Sequence, residues 1–259
     1  MGRGDAVVIV DDLSTGVASR VAGVAMAQVD LAAIGSTETL TALMRDHDVD
    51  AVVHLAAKKQ VGESVALPTY YFRQNVGGLV NLLDAMHAAD ARQLVFSSSA
   101  AVYGNPTQAC EGPVDETVPP GPISPYGETK LVGEWLCRDA EHAWGLRWCA
   151  LRYFNVVGAG ADDLGDCAAQ NLVPLVFDTI DRSEPPTVFG DDYPTPDGTG
   201  VRDYVHVIDL ADSHLAALDW LRHAGAADGP LPIFNVGTGR GSSVREVLAA
   251  IADATGLPV

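Results

Sequence analysis

The sequence predicts an α/β protein, a doubly wound and mostly parallel sheet with a smaller second domain. Three observations carry this. Short apolar runs that do not alternate, such as AVVIV (6–10) and QLVF (93–96), read as strands covered on both faces. Between such runs lie segments of helical spacing; in GGLVNLLDAMHAAD (77–90), Leu79, Leu82, Leu83 and Met86 share one face. The regular alternation stops after Gly158, where residues 159–202 turn rich in Gly, Asp and Pro.

The elements follow in order. Strand 6–10 ends at Asp11-Asp12, and a short strand over 27–29 ends at Asp30-Leu31. Helical spacing over 38–47 leads to the apolar run 50–57, the helix 77–90 and the strand 93–99, which turns polar at its end. A long helix covers 125–145 with Gly145 as its stop, and LRWCALRYFNVVG (146–158) is another buried strand. The second domain holds a helix over 171–180 and a short strand at 187–190. Residues 203–221 restore a strand and a helix with Asp209 as N-cap, PIFNV forms a strand, and Ser243 with Glu246 has capping-box spacing before a closing helix. This divides the chain into a domain over 1–157 joined by 203–236, and a smaller, incomplete one over 158–202 and 237–259. Parallel sheets bind ligands beyond the carboxyl ends of their strands. Asp11-Asp12, Asp30, Ala56–Lys59, Ser97–Ser99 and Tyr153–Asn155 are therefore expected at one edge.

Composition narrows the function. With 34 acidic against 16 basic residues, a net charge of −18, the chain lacks the basic footprint of a nucleic-acid binder. No apolar run reaches the roughly 18 residues of a membrane helix, and the N-terminus has no signal-peptide regions; a cytoplasmic protein is expected. Cys110, Cys137, Cys149 and Cys167 form no C-x-x-C pair, so reduced thiols are expected rather than a metal site or a disulfide scaffold. Arg3-Gly4-Asp5 reads as a turn into the first strand.

The chemistry concentrates in SPYGETK (124–130). Tyr126 and Lys130 are four apart, so a helix sets both on one face. A neighbouring ammonium favours the phenolate, and a tyrosine tuned this way takes a proton from an alcohol near neutral pH. FSSSAAVYG supplies hydroxyls upstream at a strand end, with Ser99 in reach of the same oxygen. His54 and His206, inside apolar strands, read as core histidines.

These stretches are similar to the extended short-chain dehydrogenase/reductase superfamily, and more closely to the UDP-glucose (UDP-galactose) 4-epimerases. The matching segments are VDDLSTG (10–16), VVHLAAKKQVGES (52–64), FSSSAAVYGNP (96–106), SPYGETK (124–130), LRYFNVVGA (151–159), NLVP (171–174), FGDDYPTPDGTGVRDYVHVIDLA (189–211) and FNVGTG (234–239). The resemblance implies a Rossmann-like fold, NAD as cofactor and a UDP-sugar as substrate, as in galactose metabolism. It implies Ser99, Tyr126 and Lys130 as the catalytic set, Lys130 also bonding the nicotinamide ribose. Asp11 and Asp12 would hold the adenosine ribose, Asp30 and Leu31 the adenine. Ala56, Ala57, Lys59, Asn75 and Tyr153 would line the dinucleotide. Phe154, Asn155, Asn171, Leu172 and Arg202 would grip the UDP-sugar, Arg202 facing the diphosphate. Four of these last have a plain alternative: helix or turn caps for Asn155 and Asn171, core for Phe154, an ion pair with Asp203 or another surface acid for Arg202. A homodimer through helices near 69–90 and 127–144 is also implied.

The first strand and glycine-rich loop of such a fold do not precede AVVIV, and Met1 falls where an internal residue of the first helix belongs. A form truncated at both ends is therefore expected. That leaves open a non-catalytic remnant, or a 4-epimerase of an N-acetylated or pentose UDP-sugar. A 4,6-dehydratase is disfavoured, because Ala100-Ala101 after Ser99 supply no acid pair.

Overall fold

The computed structural model describes residues 3–106, 112–166, 170–223 and 231–257. Cys110, Cys167 and Met1 lie outside the described residues. The chain divides into two compact units, Met1–Arg152 with Ser213–Asn235, and Tyr153–Asp212 with Val236–Val259.

In the first unit, β1 (Val8–Asp11) and β2 (Ala25–Gln28) pair in parallel, Asp11 opposite Gln28. A second sheet runs in the order β3 (Ala51–His54), β4 (Gln93–Ser97), β5 (Arg147–Tyr153) and β8 (Ile233–Val236). Its first three strands are parallel, with Ala51, Gln93 and Arg147 in one row. Among the described residues no ladder joins β1 to β3. What couples the two sheets is α1 (Ser36–Asp46), which follows β2 and packs on α4 (Gly78–Ala89). Leu40 and Met44 of α1 share a core with Leu79, Leu83 and Met86 of α4 and with Leu94, Phe96 and Trp148 of the larger sheet. Val10 and Val52, from β1 and β3, both pack on it.

The helix expected over 77–90 starts earlier than its apolar spacing shows. After α2 (Val61–Ala66), α3 (Pro68–Tyr71) runs through a wide turn with i→i+5 bonding (Phe72–Gly77) into α4. Turns of this kind concentrate at functional sites, and this one carries Asn75.

Helix α5 (Pro125–Trp144) begins and ends where the sequence places it. The Ser124 hydroxyl accepts the Gly127 amide at 3.2 Å, Pro125 pre-sets the first turn, and Gly145 closes it in the left-handed region at φ 78°. A Cβ at Gly133 would fall 2.4 Å from Phe96 Cζ, so the absence of a side chain lets α5 lie close against β4. This contact brings the first turns of α5 beside the polar end of β4.

The second unit pairs β6 (Asn155–Val157) in parallel with β7 (Val201–His206), which takes β9 (Gly241–Ser243) antiparallel on its other edge. Helix α6 (Leu172–Asp181) packs on α8 (Val244–Thr255), whose capping box is formed: Ser243 Oγ accepts the Glu246 amide at 3.1 Å, and Glu246 Oε2 accepts the Ser243 amide at 2.7 Å. Helix α7 (Val207–His223) carries the chain back to the first unit.

Several expectations are corrected. The single strand 146–158 is two, because Phe154 turns its amide to Val236 O at 3.2 Å and leaves the β4 ladder. No strand forms at 187–190: nothing among the described residues pairs with it, Phe189 is 84% exposed, and β-propensity acts only with a partner surface. Asp209 lies inside the first turn of α7 instead of capping it. His206 is exposed at the end of β7 and its Nδ1 accepts the Ile208 amide at 3.2 Å, so it is no core histidine.

Candidate active site

Tyr126 and Lys130 lie on the first turns of α5, beside the end of β4, and Ser99 follows that strand. Lys130 is 3% exposed; its Nζ donates to Ser97 O at 2.7 Å and stands 5.3 Å from the Phe96 ring centre and 5.9 Å from that of Tyr126. Burial pushes its pKa down to about 8, so the ammonium persists at neutral pH and titrates just above. Tyr126 is buried one helical turn before it. The Ser99 hydroxyl accepts the Ala101 amide at 3.2 Å, capping a short 3-10 turn over Ala100–Tyr103, and stays half-exposed. A buried ammonium thus lies against a buried phenol at the end of β4, two residues before the half-exposed Ser99.

Apart from Tyr153, with which the second unit begins, the expected cofactor residues lie in the same unit. Asp11 Oδ1 accepts the Leu13 amide at 2.7 Å, and Asp11 lines a cavity of about 250 Å³ with Ile9, Leu13, Val21 and Met26. Asp12 Oδ1 accepts the amide and the hydroxyl of Ser14, at 2.8 and 2.7 Å. Burial works against its charge, but Ser14 and the Lys58 ammonium outweigh it and hold the carboxyl below its ordinary range. Asp30 forms a turn with the Ala32 amide at 2.9 Å. The Leu31 carbonyl accepts Ser36 Oγ and Asn81 Nδ2, both at 2.8 Å, while its side chain packs on the core. Ala56 and Lys59 are exposed after β3, Ala57 half so, and Lys59 has no ion pair among the described residues. Tyr153 closes β5, half-buried.

Asn75 is buried and its amide is fully used. It accepts the Lys58 amide at 2.8 Å and donates to Lys58 O and Thr129 Oγ, both at 3.0 Å. It ties the loop after β3 to α5, one residue from Lys130. The carboxylates at β1, the buried cation on α5 and the tied loop between them fit the ribose and nicotinamide ends of a dinucleotide. The sequence contains no G-x-G-x-x-G turn for the pyrophosphate.

The expected sugar-nucleotide residues all fall in the second unit. Phe154 stands beside Gly237, where a Cβ would lie 2.9 Å from its ring. Asn155 opens β6 and is exposed. Asn171 precedes Leu172 at the start of α6 without a side-chain capping bond; its Nδ2 donates to Asp166 at 3.4 Å. Arg202 does not pair with Asp203. Its guanidinium donates to Val201 O at 2.8 Å and is exposed, while Asp203 accepts the Thr238 amide and hydroxyl and the Gly239 amide at 2.7–2.9 Å. An exposed guanidinium without a carboxylate partner among the described residues suits a diphosphate.

Sequence reasoning missed three polar groups here. Lys58, rather than Lys59, reaches back to β1, its Nζ 2.8 Å from Ser14 Oγ and 3.7 Å from Asp12 Oδ2. Glu134 and Arg152 form a buried bidentate pair behind the Tyr126–Lys130 face. The signal for Glu134 was its spacing, i+4 from Lys130 and i+8 from Tyr126. His54 fits its core reading: it is buried, stacks on Phe96 at 5.9 Å, and burial beside Lys130 drops its pKa to about 3, so it is neutral. Cys137 and Cys149 are free and buried.

Comparison with known proteins gives one answer. The model of the NAD dependent epimerase/dehydratase family matches residues 1–237. A UDP-glucose 4-epimerase of Azospirillum brasilense is 45% identical over 254 residues, which is 96% of this chain and 70% of that one. The crystal structure of a UDP-glucose 4-epimerase from Brucella ovis in complex with NAD superposes with a TM-score of 0.89 at 42% identity, over 97% of this chain and 76% of that one. The UDP-Glc/GlcNAc 4-epimerase of Campylobacter jejuni gives a TM-score of 0.79 at 35% identity, over 97% and 77%.

Proposed function

Because this chain belongs to the NAD dependent epimerase/dehydratase family, and within it to the UDP-glucose 4-epimerases, we propose that it interconverts UDP-glucose and UDP-galactose by inverting C4 through a 4-keto sugar. NAD is the family's cofactor. Bound at this site it supplies the acceptor, and then the donor, of the hydride at C4. The chain's own residues orient the sugar and move the proton. Tyr126 takes the proton from O4 and returns it, the Ser99 hydroxyl bonds the same oxygen, and the Lys130 ammonium offsets the negative charge that develops there. Arg202 would hold the diphosphate as a pivot while the keto sugar turns its other face. The observation that carries the reading is Lys130, buried, pinned to Ser97 O at 2.7 Å and set against the Tyr126 ring at the end of β4.

The test is conversion of UDP-galactose by the purified chain, with NAD absorbance followed through gel filtration. Tyr126→Phe is expected to lower turnover by about 10² to 10⁴-fold with an unchanged melting temperature. Full activity in that variant would overturn the assignment. A second reading, acceptance of the N-acetylated sugars as well, is favoured by the likeness to the Campylobacter jejuni enzyme and is read in the same assay with UDP-N-acetylgalactosamine.

A homodimer is supported by exposed apolar side chains on the two helical segments in question, Phe72 and Val80 on one and Trp135 on the other. A cytoplasmic location is supported by the free thiols of Cys137 and Cys149. No helix among the described residues is long and apolar enough to cross a membrane.

A further inference from the structure

Glu134 and Arg152 form the most deeply buried ion pair among the described residues, their side chains 3% and 4% exposed. Arg152 Nε reaches Glu134 Oε1 at 2.8 Å and Nη2 reaches Oε2 at 2.6 Å. Such a pair is poorly explained by stability, since desolvating two charges cancels most of their attraction and apolar side chains of like volume often serve as well. The pair is also more connected than packing requires. Glu134 Oε1 accepts the Ser98 hydroxyl at 2.5 Å. Arg152 lies over the Tyr103 ring at 4.8 Å, and Tyr103 donates to Asn235 at 2.8 Å.

What these groups have in common is the site on their other side. Ser98 is the residue before Ser99. Glu134 stands on the same face of α5 as Tyr126 and Lys130, one and two turns on. Arg152 belongs to β5, next in the sheet to the strand that ends at Ser97. One carboxylate therefore joins the serine run, the helix with the phenol and ammonium, and the neighbouring strand. Lys130 grips the same run from above through Ser97 O, and the Ser98 amide folds back to Phe96 O at 3.0 Å. With Ser97 and Ser98 each tied to α5, the chain between them and Ala101 has little freedom to carry the Ser99 hydroxyl elsewhere.

We infer that the Glu134–Arg152 pair is a positioning device, which through Ser98 sets the distance between the Ser99 hydroxyl and the Tyr126 phenol. The inference rests on the proposed epimerase chemistry for its consequence, but not for its geometry. Both side chains are buried away from solvent, so their loss is felt in turnover rather than in binding.

The experiment compares the full chain with Ser98→Ala, Glu134→Gln and the double variant Glu134→Leu/Arg152→Met. The double variant removes both charges at similar volume, and is expected to keep its melting temperature within a few degrees while kcat falls tenfold or more and KM stays within twofold. Ser98→Ala, the least disruptive change, is expected to lower kcat without moving KM. Glu134→Gln, which keeps an acceptor for Ser98, is expected to recover part of the loss. Unchanged kcat in both Ser98→Ala and the double variant would overturn the inference, leaving the pair a packing feature. Crystal structures of the wild type and the Ser98→Ala protein give the second readout. A Ser99 hydroxyl displaced by an ångström or more from the Tyr126 phenol supports the device, and an unmoved one refutes it. If the wild type converts no UDP-sugar, the proposed function fails, and the two structures alone decide the positioning role.

Discussion

Lys130 shows how a single residue sets stability against chemistry. Its folded pKa of about 8 lies below the ordinary 10.5 because burial disfavours the ammonium. Between those two values the unfolded chain binds more protons than the folded one, so stability rises with pH across that window and the penalty is fully present below pH 8. The shift corresponds to about 3 kcal/mol at pH 7, less about 1 kcal/mol for the bond to Ser97 O. Lys130→Met is therefore expected to be inactive and about 2 kcal/mol more stable at pH 7, the gain giving way to a loss of about 1 kcal/mol above pH 10.5, where the missing bond to Ser97 O alone is felt. Urea unfolding at both pH values reads this directly. Tyr126 and Lys130 were legible from their spacing, because a helix puts i and i+4 on one face wherever it lies. The use of Asn75 was not. That its amide closes on Lys58 and Thr129 depends on two segments 17 and 54 residues away in the chain.

At the scale of elements, local signals predicted boundaries well where the chain's own chemistry ends a helix. Ser124, Pro125 and Gly145 bound α5, and Ser243 with Glu246 starts α8, because capping is satisfied within a few residues. They served less well where a partner decides. The segment TVFG has β-forming residues but no pairing partner among the described residues, whereas Gly241–Ser243 has weak ones and pairs with β7. Helix α5 and strand β4 come close together at Gly133. Gly133→Ala would put a methyl 2.4 Å from the Phe96 ring and 3.2 Å from Leu79. It is expected to destabilise the protein by about 1–3 kcal/mol, despite alanine's better helix propensity. Because α5 would be pushed off the end of β4, turnover is expected to fall as well. A melting temperature equal to or above the wild type would show that the two elements are less tightly apposed than they are described.

Across the whole molecule, the sheet of the first unit is divided. Strands β4 and β5 are flanked on both sides and carry buried residues along their length, while β1 and β2 pair, among the described residues, only with each other and are half-exposed. Three features link the small sheet to the large one: α1 on α4, the common packing of Val10 and Val52, and the Lys58–Asp12 contact. Amides of β1 and β2 are expected to exchange with solvent at least about 100-fold faster than those of β4, through local opening that leaves the larger sheet intact. Hydrogen exchange read by NMR or mass spectrometry checks this; uniform protection would mean one cooperative sheet. The sequence by itself determined the class of fold, most of the strands and helices, and that Tyr126 and Lys130 share one helix face, since period, caps and the i, i+4 rule act over a few residues. Only the tertiary structure decided which strands pair, that Lys58 and not Lys59 reaches Asp12, that Arg202 is left unpaired by Asp203, and that Glu134 and Arg152 stand behind the serines. Those outcomes turn on distances between segments far apart in the chain, and no local pattern encodes them.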